Sequence, residues 1–129
     1  MSKYHNKKII VDGIAFDSKK EAKRYRELKL MEDAGMISRL ERQVEFVLIP
    51  EQREFNAREI YTKGPKKGSF KPGKLLERKL VYIADFVYMM NGKVFVEDVK
   101  GYRDGGAYRV FVIKRKLMLY RFGLEVKEI

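Results

Sequence analysis

Residues 80–100 read LVYIADFVYMMNGKVFVEDVK, two apolar runs joined at Asn91-Gly92. Asn-Gly between alternating apolar runs is the strongest short-range hairpin signal, because both central residues of the tight turn need positive φ. With Asn91 and Gly92 as that central pair, Met90 falls opposite Lys93, and stepping outward brings Asp85 opposite Asp98. Cβ atoms of such partners lie about 4.5–5.5 Å apart. Side chains alternate between faces, so Asp98 and Lys100 share a face, Lys100 lies diagonal to Asp85, and Glu97 points the other way. A bulge or a one-residue slip would put Glu97 in the place of Asp98.

Both faces of this hairpin are apolar. Asp85 shares its face with Val81, Ile83 and Val87, and Asp98 with Val94 and Val96; the other face carries Tyr82, Ala84, Phe86, Phe95 and Val99. Such strands belong in a sheet covered on both sides. Two like charges facing each other there oppose folding, and burial adds to the penalty. Lys100 offsets one of them. In the simplest structural arrangement Asp85 pairs with Lys100 and Asp98 stays solvated. A hard divalent cation answers the same problem, since Mg²⁺ is held by one or two carboxylates with water and phosphate oxygens. The lysine can then orient or deprotonate a water, or stabilise charge on phosphorus oxygens.

Working outward, Asp12-Gly13 in KIIVDGIAF predicts an N-terminal hairpin. Ser18-Lys19-Lys20-Glu21 has the form of a capping box, and Ala22, Tyr25, Leu28 and Met31 give the helix behind it an apolar stripe that Gly35 ends. Gln43 to Ile49 reads as a strand stopped by Pro50, and strands are expected over 80–89 and 93–100. A loop, GYRDGGA, leads to a helix from about Tyr108 to Arg121, stopped by Gly123, and Leu124 to Ile129 is a last strand. Tyr61 to Lys79 holds two prolines, three glycines and seven basic residues against one acid, which predicts a mobile basic loop within a single domain, 1–129. The order is that of a mixed α/β fold, a central sheet flanked by helices.

The chain has 129 residues, 29 Lys and Arg against 18 acids, a formal charge of +11 and no cysteine. The surplus favours a polyanion, nucleic acid or an acidic membrane surface. No apolar run approaches a bilayer span and no basic helix has a wide apolar face, so membrane attachment is not expected. The N-terminus lacks the apolar core of a signal peptide, and with no disulfide or thiolate site a cytoplasmic location is expected.

Ile83-Ala84-Asp85 followed by Glu97-Asp98-Val99-Lys100 resembles the signature of the PD-(D/E)XK nuclease superfamily, and the element order from Ser18 to Ile129 is similar to its core of helix, three strands, helix and strand. More narrowly, KYHNKKIIVDGIAFDSKKEAKRYRELKLME, YIADFVY and VEDVKG resemble the recurring text of a family of small, endonuclease-like phage and prophage proteins of uncharacterised role. Ala84 stands where the superfamily usually has proline, a variable position. The resemblance implies a restriction-endonuclease-like fold and Mg²⁺-dependent (or Mn²⁺-dependent) hydrolysis of DNA. It makes Asp85, Asp98 and the Val99 carbonyl metal ligands, Lys100 the catalytic lysine, and Glu21 the matching acid of the first helix. Capping by itself also accounts for Glu21. Small basic members include Holliday junction resolvases, which implies branched DNA as substrate, a role in recombination and a homodimer.

Candidate phosphate contacts are Lys19, Lys20 and Lys23 on the first helix, Lys63, Lys66, Lys67, Lys71 and Lys74 in the basic loop, and Lys114 and Arg115 on the second helix. His5, Lys3 and Lys7 belong to the basic tail, and a lone histidine there points away from histidine-based chemistry. No base-reading module is visible, which favours recognition of structure over sequence. Two other readings stand beside the resolvase-like one: a nicking or flap nuclease of phage replication or packaging, and a DNA-binding protein without catalysis.

Overall fold

Asn91 and Gly92 close their turn at φ 51° and 75°, and Asp12 and Gly13 close theirs at 51° and 75°, so both dipeptides adopt the left-handed conformations that a two-residue hairpin turn demands. The computed structural model describes residues 8–129. In chain order the elements are β1 (Ile9–Val11), β2 (Ile14–Phe16), α1 (Lys19–Asp33), β3 (Ser38–Ile49), β4 (Gln52–Arg53), β5 (Leu75–Glu77), β6 (Leu80–Met90), β7 (Lys93–Asp98), α2 (Gly105–Phe122) and β8 (Val126–Glu128). They form two compact units, one from the chain up to Phe46 and from Tyr82 onward, the other from Val47–Val81.

The first unit is a mixed α/β fold. Its sheet runs in the order β3-β6-β7-β8, with β6 and β7 antiparallel and β7 and β8 parallel, and β1 and β2 form a separate hairpin. The β6–β7 register is the one that the turn dictates: Met90 faces Lys93, Val87 faces Val96 and Phe86 faces Glu97. Val96 and Glu97 are chain neighbours on opposite faces and both are buried, so both faces of the sheet are covered.

Helix α1 starts where Ser18 Oγ accepts the Glu21 N–H at 3.3 Å. It ends in a Schellman arrangement: Gly35 at φ 77° donates to Glu32 O, and Met36 donates to Met31 O. Its buried Ala22, Tyr25 and Leu28 meet Phe16, Ile37, Phe86 and Tyr88 in one apolar cluster. Each large side chain so buried contributes about 1.5–3 kcal/mol. Glu97 enters this cluster fully buried. Arg24 of α1 grips both its oxygens, at 2.7 and 2.6 Å, and the Tyr88 hydroxyl donates to it as well. Burial and this contact push the Tyr88 phenol up to about 12.

Several boundaries differ from the sequence reading. β3 begins at Ser38, not Gln43, because Leu40 packs on the α1 cluster and Arg42 lies over the Phe16 ring, burial that its polar sequence hides. α2 begins at Gly105, inside the expected loop, because Asp104 accepts the Gly105 N–H and caps it. β7 stops at Asp98, two residues short of the expected Lys100.

In the second unit the stretch 61–79, read as a loop, supplies the returning half of a hairpin. β4 pairs with β5, Ile60 bridges Phe70, and backbone bonds join Glu54 to Lys74, Lys71 to Glu59, and Tyr61 to Ser69. Gly73 is required there, since a Cβ on it would overlap the Glu54 carbonyl oxygen. Its prolines and glycines serve turns and close approach, which composition cannot distinguish from a loop.

Removing one partner of a buried ion pair strands the other charge, at a cost of about 3–5 kcal/mol. Glu97→Leu and Arg24→Met are each expected to destabilise the chain by that order, and the double variant by less than their sum; urea unfolding of the three checks this. Glu32 accepts from Lys29 Nζ at 2.9 Å and from the Leu40 N–H at 3.0 Å, tying α1 to β3, and these bonds hold its carboxyl below the ordinary value. A depressed folded pKa gives stability that is full above the unfolded value and lost as pH falls through the folded one. Glu32→Gln is therefore expected to flatten the acid side of the melting-temperature profile while changing its neutral-to-alkaline side only by a constant offset.

Candidate active site

The ladder of β6 and β7 ends at Phe86 and Glu97, and Asp85 is the next residue outward. Its side chain replaces the next ladder bond: Oδ2 accepts the Val99 N–H at 2.8 Å. Oδ1 accepts from Gln43 Nε2 at 3.1 Å, and the same amide nitrogen donates to Glu21 Oε1 at 3.2 Å. One amide from β3 thus bridges a carboxylate of β6 and a carboxylate of α1. Gln43 sits at φ 51° within β3, a conformation that non-glycine residues rarely adopt and that turns up where a strand re-aims a side chain.

Glu21 serves twice. Its N–H is capped by Ser18, while its carboxylate faces Gln43 and lies 3.6 Å from Arg42 Nη2. The cap and the acid are separate parts of one residue, so the capping explanation leaves the carboxylate unaccounted for.

Asp98 is buried. Its Oδ2 accepts the Tyr82 hydroxyl at 2.6 Å and its Oδ1 pairs with Lys100 Nζ at 2.9 Å. Lys100 Nζ also lies 3.7 Å above the centre of the Phe111 ring from α2. The C-terminus secures this backbone from its other edge, Ile129 N–H bonding Asp98 O at 2.9 Å and Ile129 O taking the Lys100 N–H at 3.1 Å. The lysine is therefore Asp98's partner, and the cross-strand Asp85–Lys100 pair that the sequence also allowed does not form. Tyr82 corrects the alternation argument, which placed it on the face away from Asp98. It lies in β6 beyond the last β6–β7 pair, Phe86 with Glu97, where that pairing no longer sets its position relative to Asp98.

Burial pushes the Asp85 carboxyl up, and the Asp98 charge adds to this against the bonds from Val99 and Gln43 and the charge of Lys100. Burial and the Asp85 charge push Glu21 up too, against Arg42. Burial and the bond to Asp98 keep the Tyr82 phenol protonated, a fixed donor. The cluster is held against its own repulsion.

Among the described residues no group of three His, Cys, Asp or Glu side chains is arranged to hold a metal ion by itself. The donor chemistry suits a hard cation with a partial protein shell: two carboxylates, Asp85 and Asp98, and the Val99 carbonyl between Asp98 and Lys100. Glu97, the alternative for a slipped register, faces away and is taken up by Arg24 and Tyr88.

The basic candidates divide. Lys19 and Lys23 are exposed on α1, and Lys20 Nζ donates to the Lys100 carbonyl at 2.6 Å. Lys63, Lys66, Lys67, Lys71 and Lys74 are exposed on the hairpin unit. Lys114 is half-buried, and Arg115 is bound to Glu128 at 2.9 Å, where Tyr108 and Arg103 also converge. Burial alone would raise Glu128, but these partners outweigh it and hold its carboxyl low. His5, Lys3 and Lys7 lie outside the described residues. The residues that sequence reasoning left without a role are Gln43 and Tyr82. Gln43 had no signal because it reaches from β3 to β6 and α1, which no turn in the sequence aligns, and Tyr82 had none because it reaches Asp98 from beyond the last β6–β7 pair.

Fold and site together define a mixed α/β protein with an acid-and-lysine cluster at the end of its central hairpin. A family model described as "Protein of unknown function (DUF1064)" matches residues 1–128, and the chain belongs to that family. No curated protein and no solved structure matches it.

Asp85→Asn removes one of the repelling charges and keeps an oxygen for the Val99 N–H. In EDTA at neutral pH it is expected to melt a few degrees above wild type, a gain of about 0.5–1 kcal/mol. Gln43→Ala, which removes the bridging amide but keeps the strained backbone, is expected to melt lower than both; thermal unfolding followed by circular dichroism ranks the three.

Proposed function

We propose that this protein is a metal-dependent DNA endonuclease with a restriction-endonuclease-like core, hydrolysing phosphodiester bonds and preferring branched DNA such as Holliday junctions. The observation that carries this reading is the convergence of Asp85, Asp98 and Lys100 at one end of the hairpin, with Glu21 joined to them through Gln43. A structural ion pair needs one acid and one base. Here the acids outnumber the lysine, and two of them are pushed up by burial and mutual repulsion. Strained carboxylate clusters of this kind mark functional sites.

Asp85, Asp98 and the Val99 carbonyl would hold Mg²⁺, or Mn²⁺. When bound, the ion supplies charge neutralisation at the phosphate and a more acidic water. The protein's own groups do the rest. Asp98 holds the Lys100 ammonium in place, and Tyr82 holds Asp98, so the cation stands at a fixed point where negative charge grows on the phosphate oxygens. Gln43 and Glu21 position Asp85 and can hold a water by hydrogen bonds. In the reaction water forms a new bond to phosphorus, the phosphodiester P–O bond breaks, and the departing oxygen takes a proton.

The charge of +11 suits a phosphate backbone, and contacts of that kind give affinity that falls with salt without reading sequence. A homodimer would place two such sites for paired cuts in a branched substrate, and the host cytoplasm is where a phage enzyme of this type would act. No described helix is long and apolar enough to cross a membrane. One observation favours a second reading, a DNA-binding protein without catalysis: both Asp98 oxygens already have partners within the chain.

Cleavage of labelled four-way junction, flap, nicked duplex and linear duplex, in Mg²⁺ or EDTA, decides between them. Junction cutting in Mg²⁺ is expected, with Asp98→Asn and Lys100→Ala slower by at least about 10³-fold. Cutting of flap or nicked substrate alone keeps the site and replaces the substrate. Binding with no cutting in either metal favours the non-catalytic reading. Mg²⁺ is expected to raise the melting temperature of wild type and leave that of Asp85→Asn unchanged.

A further inference from the structure

Phe55 and Phe70 are 84% and 54% exposed, yet their rings meet edge to face at 6.0 Å with 64° between planes. The hairpin builds this pair. Phe55 follows β4, Phe70 is bridged to Ile60, and Asn56 locks the turn between them by donating to Lys71 O at 3.0 Å and accepting the Arg58 N–H at 3.1 Å. The geometry holds two large aromatic faces in water. Beside Phe55 lies an open hollow of about 540 Å³, lined by Arg58, Pro72 and Lys74 and also by Glu54 and Glu59.

The surroundings specify the occupant. The unit Val47–Val81 carries nine Lys and Arg against four Glu, so its ligand is anionic. Arg53 and Arg58 flank Phe55 in sequence, and Lys71 and Lys74 follow Phe70; Glu54, Glu59 and Glu77 are the acids on that hairpin and are outnumbered. Exposed aromatic faces between phosphate-binding cations are the combination that takes up nucleic acid by stacking, because every base has a π-face while a closed duplex hides it. A protein partner for two phenylalanines would be apolar and need no such charge.

We infer that Phe55 and Phe70 form a stacking site for unpaired bases, with Lys71, Lys74 and Arg58 as phosphate contacts, and that this unit selects DNA whose strands are open. The inference rests on the nuclease reading for its biological use, and it accounts for a preference for branched over linear DNA, since branch points and flaps present unstacked bases.

The test is binding in EDTA, where cleavage plays no part. The full chain is titrated against single-stranded, four-way-junction and linear duplex DNA carrying 2-aminopurine, with anisotropy for affinity and base fluorescence for stacking. Phe55→Ala/Phe70→Ala is expected to lose at least about tenfold in affinity for single strands, with the fluorescence change, and to stay within about twofold of wild type on duplex. Phe55→Tyr/Phe70→Tyr is expected to retain both signals, which separates stacking from damage to the hairpin. Equal losses on duplex and single strands, or no loss on either, would overturn the stacking site. So would a double-alanine variant that changes only the oligomeric state in sedimentation, which would make the pair a contact between copies of the chain. Absence of cleavage by wild type would overturn the nuclease reading and leave this result intact.

Discussion

A slip of one residue between β6 and β7 would exchange Glu97 for Asp98, and nothing else in the molecule would then fit. In the observed register Glu97 enters the cluster under α1, where Arg24 and Tyr88 meet its two oxygens. Asp98, its neighbour, goes to the other face and to Lys100 and Tyr82. The turn at Asn91-Gly92 sets this register locally, and the Glu97 network enforces it globally: a buried carboxylate has one acceptable location, beside the guanidinium. A buried polar group used in this way contributes to uniqueness as much as to stability. Asp85 closes the same device at the open end by taking the Val99 N–H with its side chain, so the hairpin stops where the site begins.

The site itself runs against stability. Asp85 and Glu21 are each pushed up by burial and by a neighbouring acid, Gln43 holds a strained backbone between them, and Arg42 supplies only part of the opposing charge. The surrounding structure offsets this from several sides. Ile129, just after β8, clamps the Asp98 and Lys100 backbone, Lys20 of α1 caps the Lys100 carbonyl, and Phe111 of α2 receives the Lys100 ammonium. Elements distant in sequence converge on one short stretch, which is what a preorganised charge site requires and what a solvated surface acid does not.

What the sequence disclosed follows from the same physics. Turn chemistry is local, so both hairpins, the start of α1 at Ser18 and the stops at Gly35 and Gly123 were legible, and with them the β6–β7 register from Met90–Lys93 to Phe86–Glu97. Strand ends that depend on tertiary burial were not. Leu40 and Arg42 fell outside the expected strand, because only α1 and Phe16 supply the surfaces they pack against. Gln43 had no signature because its role lies in a left-handed φ and a reach to two other elements. Tyr82 was assigned to the face away from Asp98 because alternation was carried past the last β6–β7 pair, Phe86 with Glu97. The hairpin of the second unit was read as a loop because glycine and proline mark close approach and turns as well as disorder, and Gly73 belongs to the first kind.

The charge surplus, read as one quantity from composition, separates once partners are assigned. Arg24 is spent on Glu97, Arg42 on Glu21, and Arg115 on Glu128 with Arg103 beside it. Each neutralises an acid within the fold and adds little to the field that an approaching polyanion meets. The lysines of the 61–74 stretch are exposed, and so are Lys19 and Lys23 on α1. Arginine's planar fork suits the internal pairs, and lysine's flexible point charge suits phosphates whose positions vary from one ligand to the next. Arg24, Arg42 and Arg115 thus answer the fold's own acids, while Arg58 and the lysines of the 61–74 stretch are exposed.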